Sequence, residues 1–92
     1  MKDIADIIPC VIDVVQQVFF DEQHALTETT YLPALSGFDS IQIITILETL
    51  EAKLDIEADP SLLLPGAFDT PLSIAELFVK SQHYTEAQNK LR

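Results

Sequence analysis

The sequence predicts an all-α fold: a small antiparallel helical bundle of three main helices plus one short helix, with a long loop between helices one and two. Apolar residues recur at three- and four-residue spacing, no segment alternates as a strand would, and the 92 residues include only two glycines. A chain of this length forms one domain around one modest core. We place that domain at residues 1–81, followed by a polar C-terminal extension at residues 82–92 that either continues the last helix or frays.

The first helix is predicted from about Asp6 to Phe20, with one apolar stripe along it. That stripe consists of Ile8, Val11, Ile12, Val15, Val18 and Phe19. Asp6 is predicted to cap the start, which places Pro9 in the first turn, where proline is tolerated. An earlier start would place Pro9 where it must kink the helix.

A long polar connection follows, over residues 21–38. Loops of this length are uncommon in compact domains and are often functional. Its scattered apolar residues are predicted to anchor it over the core, and they are Leu26, Tyr31, Leu32 and Leu35.

The second helix is predicted to begin at Asp39 or Ser40 and to end near Leu54. Asp39 is a good N-cap, and Gln42 lies in the capping-box position three residues on. A turn of about 100° per residue divides this helix into two faces. The predicted core face consists of Ile43, Leu47, Leu50 and Leu54, flanked by Ile44 and Ile46. The predicted outward face consists of Ile41, Thr45, Glu48 and Ala52, bordered by Thr49 and Asp55.

Two cap-and-proline pairs predict the remaining helices. Asp59-Pro60 opens a short helical turn, which Pro65-Gly66 closes. Thr70-Pro71 repeats the signal and opens the last helix. Its predicted inner side carries Ile74, Leu77 and Phe78.

The chain is strongly acidic. Fifteen acids face five bases, so the formal net charge is −10, and Lys53 is the only base between residues 3 and 79. Such a body repels nucleic acid and anionic membranes and attracts partners with a basic patch, although acidity can also serve solubility alone. We therefore expect no nucleic-acid binding, no membrane insertion and a monomer.

The cysteine content and the first residues bear on the compartment. Cys10 is the only cysteine, so there is neither an internal disulfide nor a cysteine-based metal site, as is typical of a reducing compartment. Residues 1–6 carry acids where a signal peptide would carry bases, and no apolar run is long enough to span a membrane. We expect a cytoplasmic protein in which Cys10 is a structural thiol.

Residues 35–41 (Leu-Ser-Gly-Phe-Asp-Ser-Ile) carry the candidate chemistry. Gly37 ends the loop, Asp39 caps the helix, and Ser40 opens its first turn with the hydroxyl able to point to solvent. Free N–H groups and the helix dipole favour a negatively charged group at such a position. Nothing nearby makes Ser40 a strong nucleophile, so a separate enzyme would have to activate it.

Residues 37–41 (Gly-Phe-Asp-Ser-Ile) resemble the Asp-Ser-Leu/Ile signature of acyl and peptidyl carrier proteins. The resemblance extends on both sides. Residues 43–57 look like the second helix of that family and its exit, and residues 68–72 (Phe-Asp-Thr-Pro-Leu) look like the approach to its last helix. The similarity covers roughly residues 6 to 80.

The resemblance implies a carrier rather than an enzyme. It implies that Ser40 holds a covalent 4′-phosphopantetheine arm, derived from coenzyme A by a phosphopantetheinyl transferase, with Asp39 as part of the motif. Acyl, aminoacyl or peptidyl groups would ride on the arm as thioesters. The other implied partners act in trans: adenylation or acyl-loading enzymes, condensation enzymes or ketosynthases, and thioesterases. The partner-docking residues implied by position are Ile41, Thr45, Glu48, Glu51 and Ala52.

Two departures from the fatty-acid carriers suggest the pathway. Those carriers crowd acids into the first two turns of the second helix, whereas residues 42–45 (Gln-Ile-Ile-Thr) contain none. Ile41 also replaces the leucine that follows the serine. Both features look more like carriers of nonribosomal peptide or polyketide pathways, and primary fatty-acid synthesis stays an alternative.

Other interpretations of the same residues give different functions. A serine hydrolase is disfavoured because Gly-x-Ser-x-Gly is absent and only His24 and His83 could act as bases. An alternation of acids at positions 55, 57 and 59 opens like a calcium loop, but the positions of its glycine and closing acid hold proline and glycine, so no metal site is predicted. The remaining alternative is a small acidic helical interaction module that is never modified, which does not account for the serine at the helix start.

Overall fold

The computed structural model describes residues 2–19, 26–35 and 38–90, and every regular element in these ranges is helical. The elements are α1 (Ile4–Phe19), a first 3₁₀ turn (Leu32–Ala34), α2 (Ser40–Leu54), a second 3₁₀ turn (Pro60–Leu62) and α3 (Pro71–Lys90). Helix α1 packs against both α2 and α3. This confirms the predicted all-α fold. In the described ranges no helix is both long and apolar enough to cross a bilayer.

Helix α1 buries a different row of side chains from the predicted stripe. Its fully buried residues are Ile7, Val11, Val14 and Val15. Of the predicted stripe, Val11 and Val15 are confirmed, whereas Ile8, Ile12, Val18 and Phe19 are only half-buried. Apolar residues cover much of the circumference of α1, and two helices contact it. The positions of α2 and α3 around α1 therefore determine which of its side chains are most deeply buried.

The start of α1 also corrects the prediction. The Asp3 carbonyl accepts hydrogen bonds from the N–H groups of Asp6 (3.0 Å) and Ile7 (3.2 Å), so the predicted cap at Asp6 is wrong. Asp6 lies in the first turn of α1, where the positive end of the helix dipole stabilises its negative charge. Pro9 falls inside the helix and cannot donate to the Ala5 carbonyl. The predicted end at Phe20 lies outside the described residues.

The described part of the long loop is held down at both ends. Leu32 N–H donates to the Asp69 carbonyl (2.7 Å), and Leu72 N–H donates to the Glu28 carbonyl (2.9 Å). Leu32 is fully buried, while Leu26 and Leu35 pack partly buried against the core. The fourth predicted anchor, Tyr31, is wrong because 56% of it is exposed. Two backbone hydrogen bonds, one to Asp69 just before α3 and one from Leu72 in its first turn, thus anchor this part of the loop.

Helix α2 ends in a residue with an unfavourable backbone conformation. Asp55 adopts a left-handed conformation with φ 54° and ψ 41°, which favours glycine or asparagine. Its carboxylate lies at the negative end of the helix dipole, where a negative charge is destabilising.

Replacement of Asp55 by glycine is therefore expected to stabilise the fold by about 1 kcal/mol, because both penalties disappear. Thermal denaturation of Asp55→Gly against the wild type measures this. Asp55→Asn is the matched variant, since it removes the charge and keeps a side chain. A lower midpoint for both variants would show that the Asp55 carboxylate makes a stabilising contact.

The segment between α2 and α3 follows the predicted turn chemistry. Asp59 accepts a hydrogen bond from Ser61 N–H (2.9 Å) and caps the second 3₁₀ turn. Ala67 N–H donates to the Leu64 carbonyl (3.0 Å), which closes a turn with Pro65 and Gly66 at its centre. The φ of Gly66 is +87°, and a type II turn requires such a positive φ at its third residue.

Helix α3 has an apolar first half and a polar second half, and both halves contact the rest of the bundle. Ile74, Leu77 and Phe78 are buried, as predicted. Gln82, only 8% exposed, accepts from Lys2 N–H (2.7 Å) and donates to the Lys2 carbonyl (2.9 Å). Thr85 accepts from Glu57 N–H (2.8 Å). In the second half of α3, polar side chains thus make the contacts with the rest of the bundle by hydrogen bonding.

Candidate functional site

Ser40 is the first residue of α2, and its side chain is exposed. The residue two positions before it is fixed by aromatic packing: the Phe38 and Phe19 rings stack with centroids 5.9 Å apart and planes 14° apart. Phe38 N–H also donates to the Leu35 carbonyl (3.3 Å). The Asp39-Ser40 pair therefore directly follows a residue, Phe38, that packs against the end of α1.

Asp39 caps α2 as predicted. Its backbone is extended, with φ −142° and ψ −179°, and its carboxylate accepts a hydrogen bond from Gln42 N–H (2.9 Å). Its carbonyl accepts from Ile43 N–H (3.0 Å), the first bond of the helix. Ser40 and Ile41 occupy the first turn, where backbone N–H groups have no partner inside the helix. The helix start can therefore offer donors to an anion near Ser40.

Removing this cap gives a direct test of where α2 begins. Asp39→Ala is expected to lower the free energy of unfolding by about 1 kcal/mol, because Gln42 N–H loses its acceptor. Chemical denaturation of the two proteins measures the difference. Asp39→Asn is the control, since asparagine also caps, and it should lose much less stability. Equal stability of Asp39→Ala and wild type would contradict the capping role.

The predicted outward face of α2 is exposed. Its members Ile41, Thr45, Glu48 and Ala52 all face solvent. The Thr45 hydroxyl donates back to the Ile41 carbonyl (3.0 Å). Glu51, at the edge of the face, is half-buried, and its carboxylate accepts from Ala58 N–H (3.0 Å). Glu51 therefore also holds the chain that leaves α2.

The predicted core face of α2 is partly wrong. The buried residues are Ile46, Leu50 and Leu54, whereas Ile43 and Leu47 are half-buried. Ile44, predicted to flank the core, is 52% exposed. The helix is rotated towards Ile46 because its four isoleucines and three leucines leave several apolar sides, and packing on α1 selects one. An exposed apolar pair, Ile41 and Ile44, results next to Ser40, and sequence reasoning missed its second member.

The other candidate residues lie apart from this arrangement or outside the described ranges. His83 is exposed on α3 and Cys10 is half-buried on α1. His24, Ser36 and Gly37 lie outside the described residues. Over residues 2–19, 26–35 and 38–90, no three histidine, cysteine or acidic side chains come together as a metal site would need.

Comparison with known proteins identifies the family. The family model for the phosphopantetheine attachment site matches residues 10–78, which is more than half of the 92-residue chain. Comparison with curated proteins and with solved structures gives no match. The matched region runs from within α1, through the Asp39-Ser40 helix start, into α3. The chain therefore belongs to the phosphopantetheine-attachment family of acyl and peptidyl carrier domains, which bear 4′-phosphopantetheine covalently and act as carriers rather than catalysts.

Proposed function

We propose that this protein is a carrier whose arm is attached to Ser40. One observation carries the assignment of the residue: Ser40 is exposed at the first position of a capped helix, inside the matched family region. Ser61 and Ser73 also lie near helix starts, but their hydroxyls bond to Asp59 and to backbone carbonyls. The exposed Ser40 hydroxyl makes no such bond within the described residues, so it is the one of the three that is free for modification.

The residues around Ser40 fit a phosphodiester. The unpartnered N–H groups of the first turn and the positive end of the α2 dipole favour its negative charge. The Asp39 carboxylate is already held by Gln42 N–H, which offsets part of its repulsion of an anion. When bound, the arm supplies a terminal thiol that carries an acyl, aminoacyl or peptidyl unit as a thioester. The chain itself supplies the attachment point and the surface that partners recognise.

The outward face of α2 is the proposed docking surface for partner enzymes. It consists of the exposed residues Ile41, Thr45, Glu48 and Ala52, with the half-buried Glu51 at its edge. The partners are a phosphopantetheinyl transferase and loading, condensing and releasing enzymes. The absence of acids from the first turn of α2 supports a nonribosomal peptide or polyketide pathway over primary fatty-acid synthesis. A cytoplasmic monomer completes the proposal.

Intact mass spectrometry tests the proposed function. The protein is incubated with coenzyme A, Mg²⁺ and a broad-specificity phosphopantetheinyl transferase, and a gain of one phosphopantetheinyl group is expected. Peptide mapping then places the group on Ser40. A well-folded sample that gains no mass with several transferases would reject the carrier proposal in favour of an unmodified interaction module.

A further inference from the structure

A shallow groove of about 240 Å³ lies between α3 and the segment that precedes it, and α2 contributes no residue to its lining. One wall is the chain just after the start of the second 3₁₀ turn, and the other wall is the first half of α3. The apolar part of the lining consists of Leu62, Leu64, Pro65, Ala67 and Leu77. Leu64 leaves 63% of its surface in water. This groove, called the α3 groove below, is therefore an apolar surface that folding leaves uncovered.

The loop wall of the α3 groove is held in place by hydrogen bonds. Ala67 N–H donates to the Leu64 carbonyl (3.0 Å) across the turn that contains Gly66. The Ser73 hydroxyl donates to the Ala67 carbonyl (2.9 Å), which ties this turn to α3. A surface that is formed before binding avoids much of the entropy cost of ordering it. The exposed Leu64 side chain is thus a fixed feature of a preformed groove.

Two charges of opposite sign stand on the α3 wall of the groove. Glu76 and Lys80 both line it, and both are exposed. They are four residues apart, in the order that favours an ion pair, yet no ion pair joins them. Within residues 2–19, 26–35 and 38–90 the Lys80 ammonium has no hydrogen-bond or ion-pair partner. Both charges are therefore available to a ligand, beside an apolar surface.

The size and the charges of the groove indicate what kind of ligand fits. Its volume of about 240 Å³ is below the range of about 300 to 1,000 Å³ that is typical of small-molecule sites, so a side chain of a protein partner fits better. A helix presents residues four apart on one side, about 6 Å apart along its axis. A second copy of this chain is disfavoured, because two bodies of net charge −10 repel each other.

We propose that the α3 groove binds an amphipathic helix of a protein partner, which places an aliphatic side chain in the groove, an acid against Lys80 and a base against Glu76. Because no α2 residue lines the groove, a partner bound there leaves Ser40 and the outward face of α2 free. The groove then serves as an anchor that stays occupied while enzymes exchange on α2. This anchoring role rests on the proposed function, whereas the binding itself does not depend on modification of Ser40.

A random library of phage-displayed peptides of about 16 residues, roughly four helical turns, provides the probe. The library is selected on immobilised wild type in the presence of excess soluble Leu64→Ser, which removes peptides that bind elsewhere. The selected peptides are expected to carry an aliphatic residue together with an acid and a base four residues apart. Calorimetry with a synthesised peptide then gives the Kd for wild type and for each variant.

Leu64→Ser and Lys80→Glu are each expected to weaken binding about tenfold, because the first removes an apolar anchor and the second turns an attraction into a repulsion. Replacement of the peptide's acid by lysine should restore affinity for Lys80→Glu. Two controls should change the Kd by less than about twofold, since neither residue lines the groove: Leu63→Ser, on the same exposed turn, and Lys90→Glu, at the exposed end of α3. A thermal melt confirms that each variant is folded.

Three outcomes would overturn the docking proposal. If no peptide prefers wild type over Leu64→Ser, the α3 groove is not a docking site. If the selected peptides lack the charge pair, or bind Lys80→Glu as tightly as wild type, the proposed helix partner is wrong. If the free protein self-associates and Leu64→Ser abolishes this, the groove belongs to a second copy of the chain.

The anchoring role is tested on the peptide complex. A saturating concentration of peptide should leave the rate of phosphopantetheinyl transfer to this protein unchanged, because the groove and the α2 surface are separate. A slower transfer would overturn the anchoring role. If folded wild type binds the peptide yet gains no phosphopantetheinyl group, the carrier proposal fails and the α3 groove remains a docking site.

Discussion

Ser40→Ala is expected to abolish phosphopantetheinylation completely while the helical bundle stays folded. The loss is complete because the hydroxyl is the only atom of this side chain that can form the phosphodiester. The fold survives because Ser40 is exposed and because Asp39, rather than Ser40, supplies the cap of α2. Removal of an exposed hydroxyl with no structural role changes stability by about 0.5 kcal/mol or less. Intact mass after the transferase reaction and a thermal melt give the two readouts.

Ser61 provides a matched control for the Ser40→Ala test. Ser61 is also exposed and also follows an aspartate cap, since Asp59 accepts from its N–H and its hydroxyl. Ser61→Ala should gain one group just as wild type does. A gain by Ser40→Ala would place the attachment elsewhere. A lost thermal transition in Ser40→Ala would mean that the hydroxyl has a structural role that the cap geometry does not suggest.

The parts of the site that sequence reasoning predicted are those that depend on neighbours along the chain. The caps at Asp39, Asp59 and Thr70 each bond to an N–H two or three residues on. Such bonds depend on residue type and spacing alone. The exposed position of Ser40 at the start of α2 follows from the same local rule. The predicted boundaries of α2 were therefore confirmed.

The parts that sequence reasoning missed depend on contacts between distant segments. The rotation that buries Ile46 and exposes Ile44 is decided by the fit of α2 on α1, because an isoleucine-rich helix has more than one apolar side. The Phe19–Phe38 stack joins two residues that flank a long loop. The Gln82–Lys2 bonds join residues 80 positions apart. Periodicity carries no information on any of these pairs.

The largest expected effect on stability comes from removing residues 82–92. The predicted boundary after Ser81 treats them as an extension, yet α3 continues through to Lys90. Truncation removes the two Gln82 bonds to Lys2 and the Thr85 bond from Glu57 N–H. At about 1 kcal/mol for each hydrogen bond, the truncated chain should lose about 3 kcal/mol. For a domain of this size, that lowers the midpoint by at least about 12 °C in a thermal melt.

Point variants separate these bonds from the length of the helix. Gln82→Ala and Thr85→Val should each lose about 1 to 2 kcal/mol, because the main-chain groups of Lys2 and Glu57 lose partners in a part-buried setting. Glu86→Ala, exposed on the same turns of α3, is the control and should change stability by less than about 0.5 kcal/mol. If the chain of residues 1–81 melts at the wild-type midpoint, the extension is dispensable and the domain ends where the sequence predicts. If it melts at least about 12 °C lower, the polar second half of α3 belongs to the folding unit, because its side chains hold the N-terminal segment and the exit of α2 in place.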